Sequence, residues 1–151
     1  MTTQTVLSRI PDLARALLGL GFLVFGLNGF LNFMPTPDVP ASAGAFLGAL
    51  AATGYMFPVI KGVEVIVGAL LLSNRFVPLA LTLLAPIMVN IVLFHAVLAP
   101  AGLGMVLTLL ALQLYLAWSY RDSFRAVLTA HARPAAGDDP RAQFVHASAR
   151  A

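Results

Sequence analysis

The 151-residue sequence contains no cysteine, and Asp, Glu, Lys and Arg together make up only 10% of it. Without cysteine there is no disulfide, thiol redox chemistry, thiolate zinc site or cysteine-held iron–sulfur cluster. A soluble domain carries about a quarter charged residues, so an ordinary water-soluble globule is excluded. Disorder over most of the length is excluded too, because disordered chains are poor in the Leu, Val and Phe that abound here. No pair of histidines suited to axial haem ligation lies within the apolar runs, and a lone histidine there is no metal site; no metal is expected. The formal charge of +3 comes from few ionisable groups, so nucleic acid is not expected as a partner.

What the chain does contain is hydrocarbon: 60% hydrophobic residues and a mean hydropathy of +0.90. A helical membrane span needs ~20 mostly apolar residues. Four segments qualify, at about 13–34, 54–73, 76–98 and 103–120. Breakers separate them: Pro35-Thr36-Pro37, Asn74-Arg75 and Ala99-Pro100-Ala101-Gly102. The expected fold is an all-α membrane protein, a four-transmembrane-helix bundle over residues 13–125. Residues 1–12 form a cytoplasmic N-terminal segment and 126–151 a tail. From about His131 that tail is Ala, Arg, Asp and Pro with little periodicity, and it is expected to stay solvated. Between spans one and two, Pro40–Thr53 is too short to cross, since about 12 helical residues reach ~18 Å. It is expected as a short helix at the outer surface.

The cations give an orientation. Arg9 and Arg15 flank the start of span one, Arg75 sits between spans two and three, and Arg121, Arg125, Arg133, Arg141 and Arg150 follow span four. The other two connections carry no Lys or Arg. Eight of the nine cations thus fall on one side, the ninth being Lys61 inside span two. Positive residues stay on the cytoplasmic face, so both termini are expected inside. Trp118 and Tyr120 fit an interfacial aromatic belt at the inner end of span four. A cleaved secretion signal ending at Ala41-Ser42-Ala43 is the competing reading, but its apolar core would exceed the usual 7–15 residues.

The informative residues are the polar ones inside the spans: Asn28 and Asn32 in span one, Lys61 and Glu64 in span two, Asn90 and His95 in span three, and Gln113 in span four. With the orientation above, most occupy the outer half. Lys61 and Glu64 lie roughly 9 and 14 Å below the outer start of span two. They are three apart and can touch. Asn90 and His95 are five apart, about 140° around the helix, and are not expected to point at one spot. Gly19, Gly26 and Gly29 offer a stripe where a neighbouring helix can approach. Pro86 removes a backbone donor and frees a carbonyl near Thr82, so a kink is expected. Each polar residue also has a plainer role. The amides can serve as interhelical glue worth ~0.6 kcal/mol, His95 can be interfacial, and Lys61 can snorkel. Glu64 is too deep and too short to reach the surface, so it must be paired, protonated or exposed to a water-filled cavity. Either it forms an internal lock with Lys61, or the pair lines a small polar pocket opening outward.

Three stretches carry a family resemblance. These are Phe25-Gly26-Leu27-Asn28-Gly29-Phe30 leading to Met34-Pro35, then Thr53-Gly54-Tyr55-Met56-Phe57-Pro58-Val59-Ile60-Lys61-Gly62-Val63-Glu64, and Asn74-Arg75-Phe76-Val77-Pro78-Leu79-Ala80 with Ala85-Pro86 and Asn90 to His95 after it. Over roughly residues 13 to 125 the chain resembles the DoxX family of small four-span membrane proteins. The resemblance implies a four-helix bundle in a prokaryotic cytoplasmic membrane. Some relatives belong to membrane redox assemblies, including quinone-linked thiosulfate oxidation and an oxidative-stress complex. More distant ones act as cargo receptors or assembly factors. Such a family name predicts fold better than chemistry.

Three functions follow as alternatives. The chain is an accessory subunit of a membrane oxidoreductase that contacts a quinone, a small-solute or lipid-binding carrier with Glu64 as its titrating group, or a structural or chaperoning membrane partner. In the first two, Lys61, Glu64, Asn28, Asn32, Asn90, His95 and Gln113 are the candidate ligand-binding residues. The partners expected are the lipid bilayer, oxidoreductase subunits and, for a carrier, further copies of the chain.

Overall fold

A computed structural model describes residues 9–35, 38–125 and 127–131. The tail from 132 onward, with Arg133, Arg141 and Arg150, lies outside the described residues. Among the described residues all regular structure is helical: α1 Ile10–Leu31, α2 Ala41–Ala52, α3 Met56–Leu72, α4 Val77–Val97, a 3-10 turn at Pro100–Gly102, α5 Leu103–Ser119 and a last turn, α6, at Arg121–Phe124.

The ends of these helices are written locally. Pro11 stands in the first turn of α1, where its missing N–H costs nothing, and Asp12 beside it suits the positive end of the helix dipole. α1 stops at Asn32, whose left-handed conformation (φ 48°) is the usual device for ending a helix without glycine. α3 ends in a full Schellman arrangement. The Arg75 N–H donates to the Leu70 carbonyl at 3.0 Å, and the N–H of left-handed Asn74 to Leu71 at 3.2 Å. The short Asn74–Phe76 turn then launches α4, with Pro78 in its first turn. Between α2 and α3 the chain bends by 93°. Gly54 takes the positive φ of 74° that this corner demands, and the Thr53 hydroxyl accepts the Met56 N–H at 3.1 Å.

α1 and α3 run antiparallel and form the most extensive helix pair. A Cβ added at Gly68 of α3 would lie 2.6 Å from the Leu23 nitrogen and 2.8 Å from the Gly19 carbonyl oxygen of α1. One added at Gly26 would lie 2.8 Å from the Val65 nitrogen. The two backbones therefore touch where the glycine stripe of α1 meets Gly68. α4 packs against α3 and α5 against both α4 and α1. The core runs through Leu18 and Phe22 of α1, Val67 and Leu71 of α3, Leu81, Leu84 and Met88 of α4, and Leu116 of α5.

The outside is as apolar as the inside. Leu13, Leu79 and Leu114, on three different helices, are each more than half exposed. Three stretches are long and apolar enough to cross a membrane: Ile10–Leu31, Val77–Val97 and Pro100–Ser119. Only 17–28% of each is buried within the protein. Lipid is the solvent that such a surface requires, and the chain is a membrane protein. α2 and α3 taken together, as one element bent by 93°, are also long and apolar enough to cross. α3 alone has 17 residues, about 26 Å, somewhat shorter than the stretch expected at 54–73 because Gly54 and Tyr55 belong to the corner.

The close α1–α3 contact has a direct test. Gly68→Ala is expected to cost about 1–3 kcal/mol, since the added methyl meets backbone that cannot yield. Gly62→Ala, on the same helix with nothing within 4 Å of the new methyl, is expected to be neutral or to gain up to about 1 kcal/mol. Thermal unfolding of both variants in one detergent checks this; equal melting temperatures would contradict the backbone contact.

Candidate functional site

The glycines of α1 do more than admit α3. Gly29 lies directly against the Lys61 stem, so that any side chain there would occupy the position of Lys61 Cγ and Cδ. A Cβ at Gly26 would lie 3.0 Å from Glu64 Cβ. One turn of α3 is thereby pressed onto bare backbone. The Lys61 stem lies along α1, and its ammonium reaches Glu64 Oε2 at 2.9 Å. The Glu64 side chain is 3% exposed and that of Lys61 20%. The ammonium also stands 5.6 Å from the centre of the Phe57 ring, within cation–π range.

This pair faces a cavity of about 480 Å³ bounded by all five long helices. Its walls are apolar, with Phe22 and Phe25 of α1, Phe46 of α2, Phe57 of α3 and Phe94 of α4 set among aliphatic side chains of all but α1, and with Met105 on α5. Its polar lining is Lys61, Glu64, Asn90 and His95. The lining positions of α4 are 86, 87, 90, 91, 94 and 95, a broad face repeating every turn. That breadth resolves the conflict expected from the spacing. Asn90 and His95 both reach the cavity because it wraps around α4, with the two side chains at opposite edges of the face. His95 Nδ1 lies 2.9 Å from the Ile91 carbonyl, which can only accept, so Nδ1 carries a proton and Nε2 is left for other company. Pro86 itself lines the cavity. Phe46 meets Phe94 at 5.7 Å between ring centroids, which docks α2 onto α4 as a wall.

The other expected site residues are elsewhere. Asn28 and Asn32 belong to the end of α1. The Asn32 N–H donates to the Asn28 carbonyl at 2.9 Å, and the Asn28 Oδ1 accepts the Met34 N–H at 2.7 Å. The Asn28 side chain is taken up there because the amides beyond a helix end need partners. Gln113 is 6% exposed and bridges α5 to α4, its Nε2 donating to the Leu81 carbonyl at 3.2 Å. Its Oε1 is buried with no partner among the described residues. It lies outside the cavity lining, as interhelical glue.

Sequence reasoning missed the aromatic walls, since phenylalanines within apolar spans look like any lipid-facing residue. It also missed the work of Arg15. That guanidinium donates to the Leu71 carbonyl, and to Leu72 at 3.3 Å, closing the C-terminal end of α3 from the neighbouring α1. Its partners are carbonyls of a helix far along the chain, which no local pattern announces. Among the described residues no group of three or more His, Asp or Glu side chains converges as a metal site.

No protein-family model, curated protein or solved structure matches this chain. The residues themselves therefore carry the functional argument. An ion pair, an amide and an imidazole in an aromatic chamber can hydrogen-bond the polar end of a small hydrophobic molecule and bury the rest.

The pair's energetics can be checked without any ligand. Lys61→Met leaves a buried carboxylate without its cation and is expected to cost about 3–5 kcal/mol, whereas Lys61→Met with Glu64→Leu is expected to restore most of that loss. Denaturant unfolding in micelles measures both. A single variant as stable as the double would mean that the two side chains are not coupled.

Proposed function

We propose that this chain is a four-span protein of the cytoplasmic membrane, of the DoxX type, serving as an accessory subunit of a quinone-linked redox assembly. In this reading α1, α3, α4 and α5 cross the bilayer, α2 lies at the outer surface over the bundle, and both termini are cytoplasmic. The arginines support the orientation: Arg9, Arg15, Arg75 and Arg121 all fall at the ends of helices that would then face the cytoplasm. The most specific part of the resemblance to the family is the stretch from Thr53 to Glu64, the same segment that forms the corner and the ion pair.

The observation that carries the functional reading is the cavity. It has room for a substituted ring, its walls suit a flat apolar body, and its polar groups are few and grouped. Lys61 and the Asn90 amide can donate to carbonyl oxygens of such a ring, and among the described residues only Nδ1 of His95 is engaged in a hydrogen bond. A lipid or small-solute carrier is the second reading, supported by the same pocket with Glu64 at its edge as the titrating group. A purely structural partner would have no use for an aromatic chamber of this size.

Two experiments test these statements. Reconstituted protein is expected to bind a short-chain benzoquinone saturably and to copurify with an oxidoreductase from its native membrane; the absence of both would overturn the assignment. Liposome flux that changes with Glu64→Gln would instead favour the carrier. The orientation is open to labelling because the chain has no cysteine of its own. On intact cells an impermeant maleimide is expected to modify Ala101→Cys and to spare Ser73→Cys, and the reverse pattern would invert the topology.

A further inference from the structure

The ion pair does more than make the chamber polar; it sets the kind of polar group that can be seated there. Lys61 and Glu64 together carry no net charge. A carboxylate or phosphate bound to Lys61 would leave Glu64 buried without its cation, and an ammonium bound to Glu64 would leave Lys61 in the same position. Charged ligands therefore compete with the protein's own pair.

The capacity left over is specific. The Lys61 ammonium has three N–H groups and gives one to Glu64 Oε2. Among the described residues Oε2 is the only Glu64 oxygen engaged in a hydrogen bond. Donor capacity on Lys61 and acceptor capacity on Glu64 thus remain side by side on one turn of α3, at the edge of an apolar chamber. A carbonyl or ether oxygen can use only the first. A hydroxyl uses both, accepting from Lys61 while donating to Glu64.

We propose that the Lys61–Glu64 pair selects an uncharged, lipid-soluble molecule whose polar end is a hydroxyl, in preference to the same molecule ending in a carbonyl, an ether or a charge. This rests on the reading of the cavity as a ligand site. Applied to the quinone assignment, it means that the chamber holds the reduced, dihydroxy form more tightly than the oxidised one. A tenfold preference of that sign would raise the two-electron potential of the bound couple by about 30 mV.

The test is a ligand series on the full-length protein in nanodiscs under argon: decyl-hydroquinone, its dimethyl ether, decyl-benzoquinone and decanoate, each measured by calorimetric titration. The hydroquinone is expected to bind at least fivefold more tightly than each of the other three. In the Lys61→Met, Glu64→Leu double variant, whose uncharged chamber keeps its walls, the hydroquinone and its ether are expected to bind alike. A preference below fivefold in the unaltered protein, or one that survives in the double variant, overturns the selection while leaving the cavity a ligand site. If none of the four binds saturably, the cavity reading falls, and this proposal with it.

Discussion

Backbone contact between α1 and α3 is the constraint on which the site depends. Two helices usually sit 8–10 Å apart, separated by their side chains. Here glycine on both surfaces removes that spacer, and Gly68 of α3 meets the Gly19 and Leu23 backbone of α1. In lipid there is no hydrophobic force to press helices together, so close packing has to supply the association. The same contact continues towards the other end of the pair, where Gly26 and Gly29 underlie Glu64 and Lys61. The lysine stem takes the space that a side chain at position 29 would have filled. Its direction, and so the ion pair, follows from an absence on the opposite helix.

With the pair fixed on that seam, the cavity is what remains when helices of unequal closeness meet. α1 and α3 touch, whereas α4 carries Pro86 on its cavity face and α5 enters through a 3-10 turn next to His95. Gly102 there is packed so closely against the imidazole ring that no side chain would fit. The open side is met by α2, anchored by the Phe46–Phe94 contact and turned back across the bundle by the corner at Gly54. A buried ion pair adds little net stability, because desolvation offsets attraction. The pair at the border of the cavity therefore contributes polarity there more than it contributes stability.

The helices could be read from the sequence, because crossing a bilayer imposes a minimum apolar length and Pro, Asn and Gly punctuate the runs. The bounds of α4 and α5 differ from the expected spans by a residue at most at each end. α1 begins earlier than expected, at Ile10, with the helix-starting Pro11 in its first turn. Within the site, the touching of Lys61 and Glu64 could be read from their spacing alone. Asn28, Asn32 and Gln113 could not be assigned in that way. An amide looks the same in the sequence whether it caps its own helix, bridges to another or lines a chamber. For Asn32 one signal was present: an asparagine three residues before a proline-rich break suits a left-handed helix end. The chamber's walls left no signal at all, since which phenylalanines turn inward is decided by how four other elements pack.

The division of labour between the two kinds of cation completes the physical picture. Lys61 is the sole lysine, and every other basic side chain is an arginine near a helix end or beyond it. Arginine presents a planar fork of donors and cannot shed its charge, which suits the exposed carbonyls at a helix end; Arg15 serves α3 in that way. Beside Gly29, where the Lys61 methylenes lie against α1, such a rigid fork would fix the direction of all its donors at once. Lysine has a narrow stem, and its compact ammonium can redirect its remaining N–H groups without moving its Glu64 contact. The residue that fits the seam is thus also the one able to offer a hydrogen bond to an incoming molecule while staying paired.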